Sequence, residues 1–532
     1  MKHMTPLLLM LVAVLPLWSI SCASSPPPTP AAIQASQVPA WSQDDMNFFL
    51  HGSMGSEFVP ETVLRAFIKT YPDLFPTSDF SPLGVIADPT FGWPIGFSRS
   101  EPAHLAKMPS VGINCASCHV GEVDSPDGRE RVRVLGMTSH FDVEGFFNSI
   151  IGATFRTQDP VNMKRFISAY LEQASMNFDH VGFSTAWDIQ STQIVAAMAA
   201  DPSGAKGAGP GGLQTLDPSE FRISRLQLSD NSVDFASLSL SMLKLFHNMR
   251  AALHVPDQPP KNLPSLSGPG RNDAFGLLSA ALLNEPIGYA PVKYGLVWNM
   301  EHRYWVHWDG DTRSPIARNL LATLGLGAPL IGKQGQLDFA LIKRQTELSE
   351  KIISPKYPFA IDQSAAKRGV SLYQRSCAAC HDGPEDDHRL RSTSEVWTDP
   401  TRARLFTKQQ ADRFNKFITE LEIENYSKPA ESGVRSTQKY WAASLAGVWA
   451  RSPYLHNGSV RTMQQLLTPP ASRDVTFHRG SRTYDSEHMG YRNFGSYLFD
   501  TKIPGNANTG HDYGTGLTSD QKQDLMEYLK TL

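Results

Sequence analysis

The chain has no apolar run long enough to cross a bilayer with ease. The longest, Leu7 to Ile20, is broken by Pro16 and Ser19 and falls short of the roughly 20 residues a membrane helix needs. An excess of charge of either sign is also missing: 49 Lys and Arg stand against 52 Asp and Glu in 532 residues, a net charge of −3. So even a balance leaves no basic stripe for nucleic acid and no acidic tail. Alternation of apolar and polar residues, the mark of half-buried strands, is scarce, and no solenoid-like repeat recurs. Cysteine is rare too, with only five in the chain.

Four of those five belong to two copies of one device, Cys115-Ala-Ser-Cys118-His119 and Cys377-Ala-Ala-Cys380-His381. In C-x-x-C-H, two thiols add across the vinyl groups of one haem and the adjacent histidine binds its iron. A redox CxxC has no need of the trailing histidine, and a zinc site needs four nearby ligands. Two copies therefore predict two covalently bound haem c groups. Cys115, Cys118, Cys377 and Cys380 are the attachment points, and His119 and His381 the proximal iron ligands. With no cysteine left to pair, no disulfide framework is expected.

Met1-Lys2-His3, the short apolar run and Ser19-Ile20-Ser21-Cys22 read as a signal peptide over residues 1–22. A cysteine after small residues resembles a bacterial lipobox, with Ser19 where Leu is usual. This predicts a lipid anchor at Cys22, with ordinary cleavage nearby as the alternative. Bacterial haem attachment takes place outside the cytoplasm, so both features point to a periplasmic or extracellular protein, anchored to the outer membrane. Residues 23–40, rich in Ser, Pro and Ala and without charge, read as a disordered tether.

Two domains are expected from length, 41–350 and 351–532. The second opens with a helix over Gln363 to Ser376 that runs into Cys377. It closes with a capping box, Thr518-Ser-Asp-Gln521, and a helix bearing Leu525, Leu529 and Leu532 on the face that packs across the first. Phe146 to Ala174, Phe235 to Leu253 and Lys408 to Ile423 read as helices. Gly204 to Gly212 and Pro256 to Pro269 read as loops. The expectation is a mainly α protein: two c-type cytochrome domains with long loops and a helical insertion in the first.

Pro291-Val-Lys-Tyr-Gly-Leu-Val-Trp298-Asn299, His307-Trp308-Asp309-Gly310 and Arg318-Asn319 resemble the segment after the first haem in the bacterial dihaem cytochrome c peroxidase and MauG superfamily. Arg451-Ser-Pro453-Tyr454-Leu455-His456-Asn457-Gly458-Ser459-Val460 resembles the matching segment of the second haem domain. The resemblance implies that Trp308 relays electrons between the haems, a role an aromatic ring can fill, although packing at an interface is the plainer use of an indole. It implies that His307 and Asp309 tune the haem, or serve as hydrogen-bonded structural polars. His456 would support the second haem through hydrogen bonds.

Two departures redirect the reading. The stretch Arg318 to Pro329 holds no acid where the peroxidases carry a peroxide-cleaving Glu, and Gly268 to Gly276 offers no histidine to cap the first iron. With these departures the chain resembles the rubber oxygenase branch and the related dihaem fatty-acid dioxygenases, as does His51-Gly-Ser-Met-Gly-Ser-Glu57-Phe58-Val59-Pro60. That branch implies an open first haem that activates dioxygen for an apolar, unsaturated substrate, and a second haem held by two histidines. A methionine ligand is absent from Leu466 to Arg473. The glycine-bracketed loop Gly505 to Gly514 presents His511 as the preferred distal ligand, with His456, His478 and His488 as alternatives.

Three function classes follow: a haem dioxygenase acting on a fatty acid or polyisoprenoid, a hydrogen peroxide peroxidase fed by a small cytochrome or cupredoxin, and an electron-transfer cytochrome. The 262 residues from His119 to His381 exceed what a carrier needs and suit a pocket-forming insertion.

Overall fold

The computed structural model describes residues 32–173, 178–223, 227, 232–258, 267–285, 288–301, 303–329, 337–421 and 433–532. The signal segment, Cys22, Ala174, Ile423 and part of the Pro256 to Pro269 loop lie outside them. Helix makes up about 44% and strand about 12%, so the fold is mixed rather than mainly α. The strands escaped the sequence pattern because they are short, and because two of them, Glu57–Pro60 and Ser110–Ile113, are buried at all four positions. A strand covered on both faces does not alternate.

The first CxxCH motif is a single helical turn, Cys115–His119, set between two small sheets. Before it, Ser110–Ile113 is the centre of an antiparallel sheet with Glu57–Pro60 and Phe97–Ser100. After it, Val120–Asp124 pairs with Arg131–Leu135, whose other edge takes Ala32–Ile33 in parallel. That last pairing places residues 32 and 33, within the expected 23–40 linker, at a sheet edge. Gln37, fully buried, explains it: its amide donates to the Leu135 carbonyl at 2.9 Å and accepts from the Leu135 N–H at 3.0 Å.

One expected helix is two. Val143–Arg156 and Pro160–Glu172 are separate because Asp159 caps the second through the N–H groups of Val161 and Asn162, and Pro160 cannot continue the first. Phe235–Ala252 and Lys408–Glu420 fall where expected.

Gln363–Ser376 and Ser519–Leu529 form the predicted crossing pair, the second behind a complete Thr518/Gln521 capping box. At the crossing, a Cβ on Gly369 would lie 2.2 Å from the Asp524 carbonyl oxygen. The contact exists because residue 369 has no side chain.

Two large cores result. One is rich in aromatics and runs from Phe58 to Tyr294 within the first half. The other gathers Ala116 and Val120 beside the first motif with Leu372, Tyr373, Trp449, Tyr484 and Leu525 around the second. The two motif-bearing halves thus share buried apolar surface.

Candidate haem sites and the bridge between them

Asn114 caps the first motif: its side-chain oxygen accepts from Ala116 N–H at 2.9 Å, while its amide donates to the Phe49 and Gly52 carbonyls. This fixes Cys115, Cys118 and His119 on one turn, with Cys115 Sγ 3.7 Å from Met54 Sδ. Burial, then the charge of Arg318, pulls the His119 pKa down to about 3. The ring is therefore neutral, the form that binds metal. Among the described residues, the charges that act on His119 are those of Arg318 and His307. Arg318 sits on the helix Pro315–Gly325, its Nε buried and unpartnered, so the acid-free stretch places a cation beside the motif.

At the second motif, His381 Nδ1 donates to the Ala443 carbonyl at 2.7 Å, which leaves Nε2 as the free lone pair. His511 faces it across 6.3 Å between ring centroids. A metal bound by two imidazoles at about 2.0–2.1 Å, with roughly 1.1 Å from nitrogen to ring centre, sets centroids about 6.3 Å apart. The spacing and the buried, unpartnered His511 Nδ1 fit an iron held between the two rings. Burial drives both pKa values down to about 4, keeping both rings neutral. Of the other candidates, His488 is tied to Asp485 at 2.7 Å and His478 lies on an exposed strand position. His456 is buried and stacks on Tyr440 at 4.1 Å.

Sequence reasoning missed the device that holds His511. His511 has φ 47° and Gly510 φ 70°, and a Cβ on Gly510 would fall 2.2 Å from the Trp397 carbonyl carbon. The loop is pinned by Arg473, whose guanidinium donates to the carbonyls of Asn508, Gly510 and His511 at 2.6, 2.8 and 3.0 Å, and to those of Leu466, Gln465 and Thr468. Nothing in the local sequence marks Arg473, because its partners are backbone atoms up to 38 residues away.

The His307-Trp308-Asp309-Gly310 turn joins the halves. The Trp308 carbonyl accepts from Trp441 N–H at 2.7 Å, and Ala443, two residues on, is the partner of His381. Trp308 Nε1 donates to the Lys293 carbonyl at 2.9 Å. Lys293 is buried without a carboxylate, its ammonium donating to the carbonyls of Arg451 and Pro453. Arg402, from the second half, bridges Asp309 at 3.1 Å and Asp311 at 2.7 Å, and His307 Nδ1 donates to Asp311 at 2.8 Å. Burial outweighs Arg402 at Asp309 and raises its carboxyl to about 7, with Oδ1 left unpartnered. His307, at φ 72°, is held neutral, burial pulling it down to about 3. Glu57 is also buried: Oε1 accepts from Ser98 Oγ at 2.7 Å and Oε2 has no partner.

A family model described as RoxA-like, cytochrome c-like matches residues 439–478, the segment from the Trp308 contact through His456. An uncharacterized protein y4iJ of Sinorhizobium fredii (strain NBRC 101917 / NGR234) is 24% identical over a 600-residue alignment covering 92% of each chain. A second, y4iM of the same organism, is 30% identical over 279 residues, 44% of this chain and 63% of its own. Residues 439–478 therefore resemble part of a RoxA-like cytochrome c domain. Such a domain implies covalent haem c and haem oxidoreductase chemistry.

Proposed function

We propose that this chain is a dihaem c-type oxidoreductase, with a catalytic unit over 41–350 and an electron-transfer unit over 351–532. Cys115, Cys118 and His119 hold one haem. Cys377, Cys380, His381 and His511 hold the other, with His456 in its supporting wall. We propose further that the haem on His119 activates dioxygen to oxidise an apolar unsaturated substrate, a fatty acid or polyisoprenoid. Export and a lipid anchor at Cys22 belong to the same reading.

Haem, when bound, supplies the oxygen-binding and redox chemistry; the chain's residues decide which reaction it serves. The observation that carries the reading is the acid-free helix Pro315–Gly325, which brings the cation Arg318 beside the first motif. Peroxide cleavage needs a group that moves a proton between two oxygens, worth typically ~10² to 10⁴-fold in rate. Arg318 cannot accept a proton. Oxidation with dioxygen makes no such demand when both oxygen atoms enter the product. Trp308, on the seam between the halves, is placed to pass electrons between the sites.

One observation favours peroxidase action instead. Glu57 pairs through its backbone with Gly112, three residues before Cys115, and keeps one buried carboxylate oxygen free. Oxygen uptake by the purified protein separates the two. An unsaturated fatty acid or a polyisoprenoid should consume dioxygen without added reductant, and peroxide turnover with a reduced small cytochrome should be slow. Fast peroxide turnover with no oxygen uptake would return the chain to the peroxidases.

A further inference from the structure

Among the described residues, twelve large apolar side chains are exposed, and four of them, Val475, Phe494, Leu498 and Ile503, belong to one strand pair and its flanking loops. Each is 48–57% exposed. Single exposed apolar residues are ordinary, whereas a contiguous group marks a surface that meets a partner or a membrane.

Contiguity follows from the pairing. Thr476–Arg479 runs antiparallel to Tyr497–Asp500, and on the buried face Phe477 stacks on Phe499 with centroids 5.0 Å apart. The opposite face carries Leu498 across from His478 and Thr476 across from Asp500. Val475 extends that register: its carbonyl accepts from Thr501 N–H at 3.0 Å, two residues before Ile503. At the other end Asn493 Oδ1 accepts from His478 N–H at 2.8 Å, which brings the next residue, Phe494, to the same edge. Leu498 stands where a half-buried strand alternates to a polar residue.

Charge selects the occupant. Arg492 and Lys502 are exposed within this stretch, and neither joins an ion pair among the described residues. The one carboxylate of the strand pair, Asp500, accepts from Lys502 N–H at 2.9 Å, and Asp474, before Val475, is held by Arg461 at 3.4 Å. Two free cations beside four apolar side chains match an anionic lipid surface, where apolar burial and attraction to headgroups add. A second copy would bring the same two cations against them.

Position agrees. Ala32 pairs with Val132, Val132 with Val123, Asp124 bridges Thr483, and the Thr483 carbonyl accepts from Arg492 N–H at 3.0 Å. Strand spacings of about 4.8 Å put Ala32 within about 23 Å of Arg492. Cys22 stands ten residues before Ala32, a span of at most about 35 Å. An anchor at Cys22 and this face can therefore meet one bilayer.

We propose that the face built by Val475, Phe494, Leu498 and Ile503, with Arg492 and Lys502, docks the protein on an anionic membrane surface. Its orientation toward the anchor rests on the lipid-anchor reading; the face itself does not.

The test uses the haem-loaded full chain with Cys22→Ala, so that no acyl chain carries it to lipid, sedimented with vesicles of phosphatidylcholine alone or mixed with phosphatidylglycerol. Binding to the mixed vesicles, weakening as salt rises, is the expected result. Phe494→Ser with Leu498→Ser should reduce it about tenfold or more, and Lys502→Glu about fivefold or more, at unchanged haem content. Ile189→Ser, at an exposed apolar residue elsewhere, should leave it unchanged. Equal binding by all variants overturns the proposal, as does a dimer in solution that the Phe494 and Leu498 changes dissociate while vesicle binding is absent. The mass of the N-terminal peptide from the unaltered chain tests the anchor separately. An acylated Cys22 with no vesicle binding by Cys22→Ala keeps the anchor and overturns the docking face; unacylated Cys22 with vesicle binding does the reverse.

Discussion

Lys293 holds its ammonium nitrogen 5.4 Å from the centre of the Trp308 ring. Burial, then the charges of Arg451 and Arg479, lowers the Lys293 pKa well below its ordinary value; in its charged form the ammonium opposes a positive charge on the indole by about 3 kcal/mol at an effective dielectric constant near 20. In the proposed function, a protonated Lys293 would keep Trp308 from staying oxidised while it passes electrons between the haems. Trp308→Phe should slow electron transfer between the haems while leaving ligand binding at the haem on His119 intact. Lys293→Met should let an oxidised tryptophan accumulate in the electron paramagnetic resonance spectrum after oxidant is added, and Lys293→Arg should not. Equal signals in all three proteins would remove Lys293 from the account.

Arg473 should govern the second iron from a distance. Arg473→Ala removes six donated hydrogen bonds to carbonyls, three of them in the loop of His511. Each buried acceptor left unpaired costs about 1–3 kcal/mol, so His511 should be released. The expected result is a reduced haem on His381 that binds carbon monoxide, at unchanged haem content. Arg473→Lys, with three donors, should restore the closed form only in part. A carbon monoxide response equal to wild type in Arg473→Ala would show that the loop holds without it.

Gly369→Ala should destabilise the second unit. A Cβ placed 2.2 Å from the Asp524 carbonyl oxygen forces the two helices apart, and overpacking of this kind costs about 1–3 kcal/mol. Urea unfolding followed by the absorbance of the second haem should show an earlier midpoint, whereas Arg368→Ala, at a more exposed ion pair with Asp524, should move it less.

Asp309 predicts a pH dependence. Its carboxyl is raised from 3.8 to about 7, burial being the main cause. The native protein thus keeps a proton that the unfolded chain loses near pH 4. This contribution to stability is fully present below that pH, falls as pH rises through about 7, and changes no further above it. Asp309→Asn should flatten the decline between pH 4 and 7 in the urea midpoint. An unaltered slope would assign the proton elsewhere.

Legibility in the sequence followed the range of the interactions. Both CxxCH motifs, the helix Gln363–Ser376 and the capped helix at 519 are local patterns, and each stands where the spacing puts it. His511 was chosen from its glycine-bracketed loop and lies across from His381. What stayed hidden depends on distant backbone. The buried four-residue strands have no alternation to show, and Gln37 is ordered by Leu135, 98 residues away. Arg473 and Lys293 act on carbonyls brought close by folding alone. Gly369 is the contact point of its helix with the terminal one, a role set by the distant Asp524 backbone.

In the proposed function the chain carries two haems with unlike irons, one open on His119 and one closed between His381 and His511. Carbon monoxide titration of the fully reduced protein, with haem counted by pyridine haemochrome, tests it most directly. The predicted result is two haems per chain and one carbon monoxide bound, rising to two in His511→Ala. Two carbon monoxide molecules bound by the wild-type protein, or none, would contradict it.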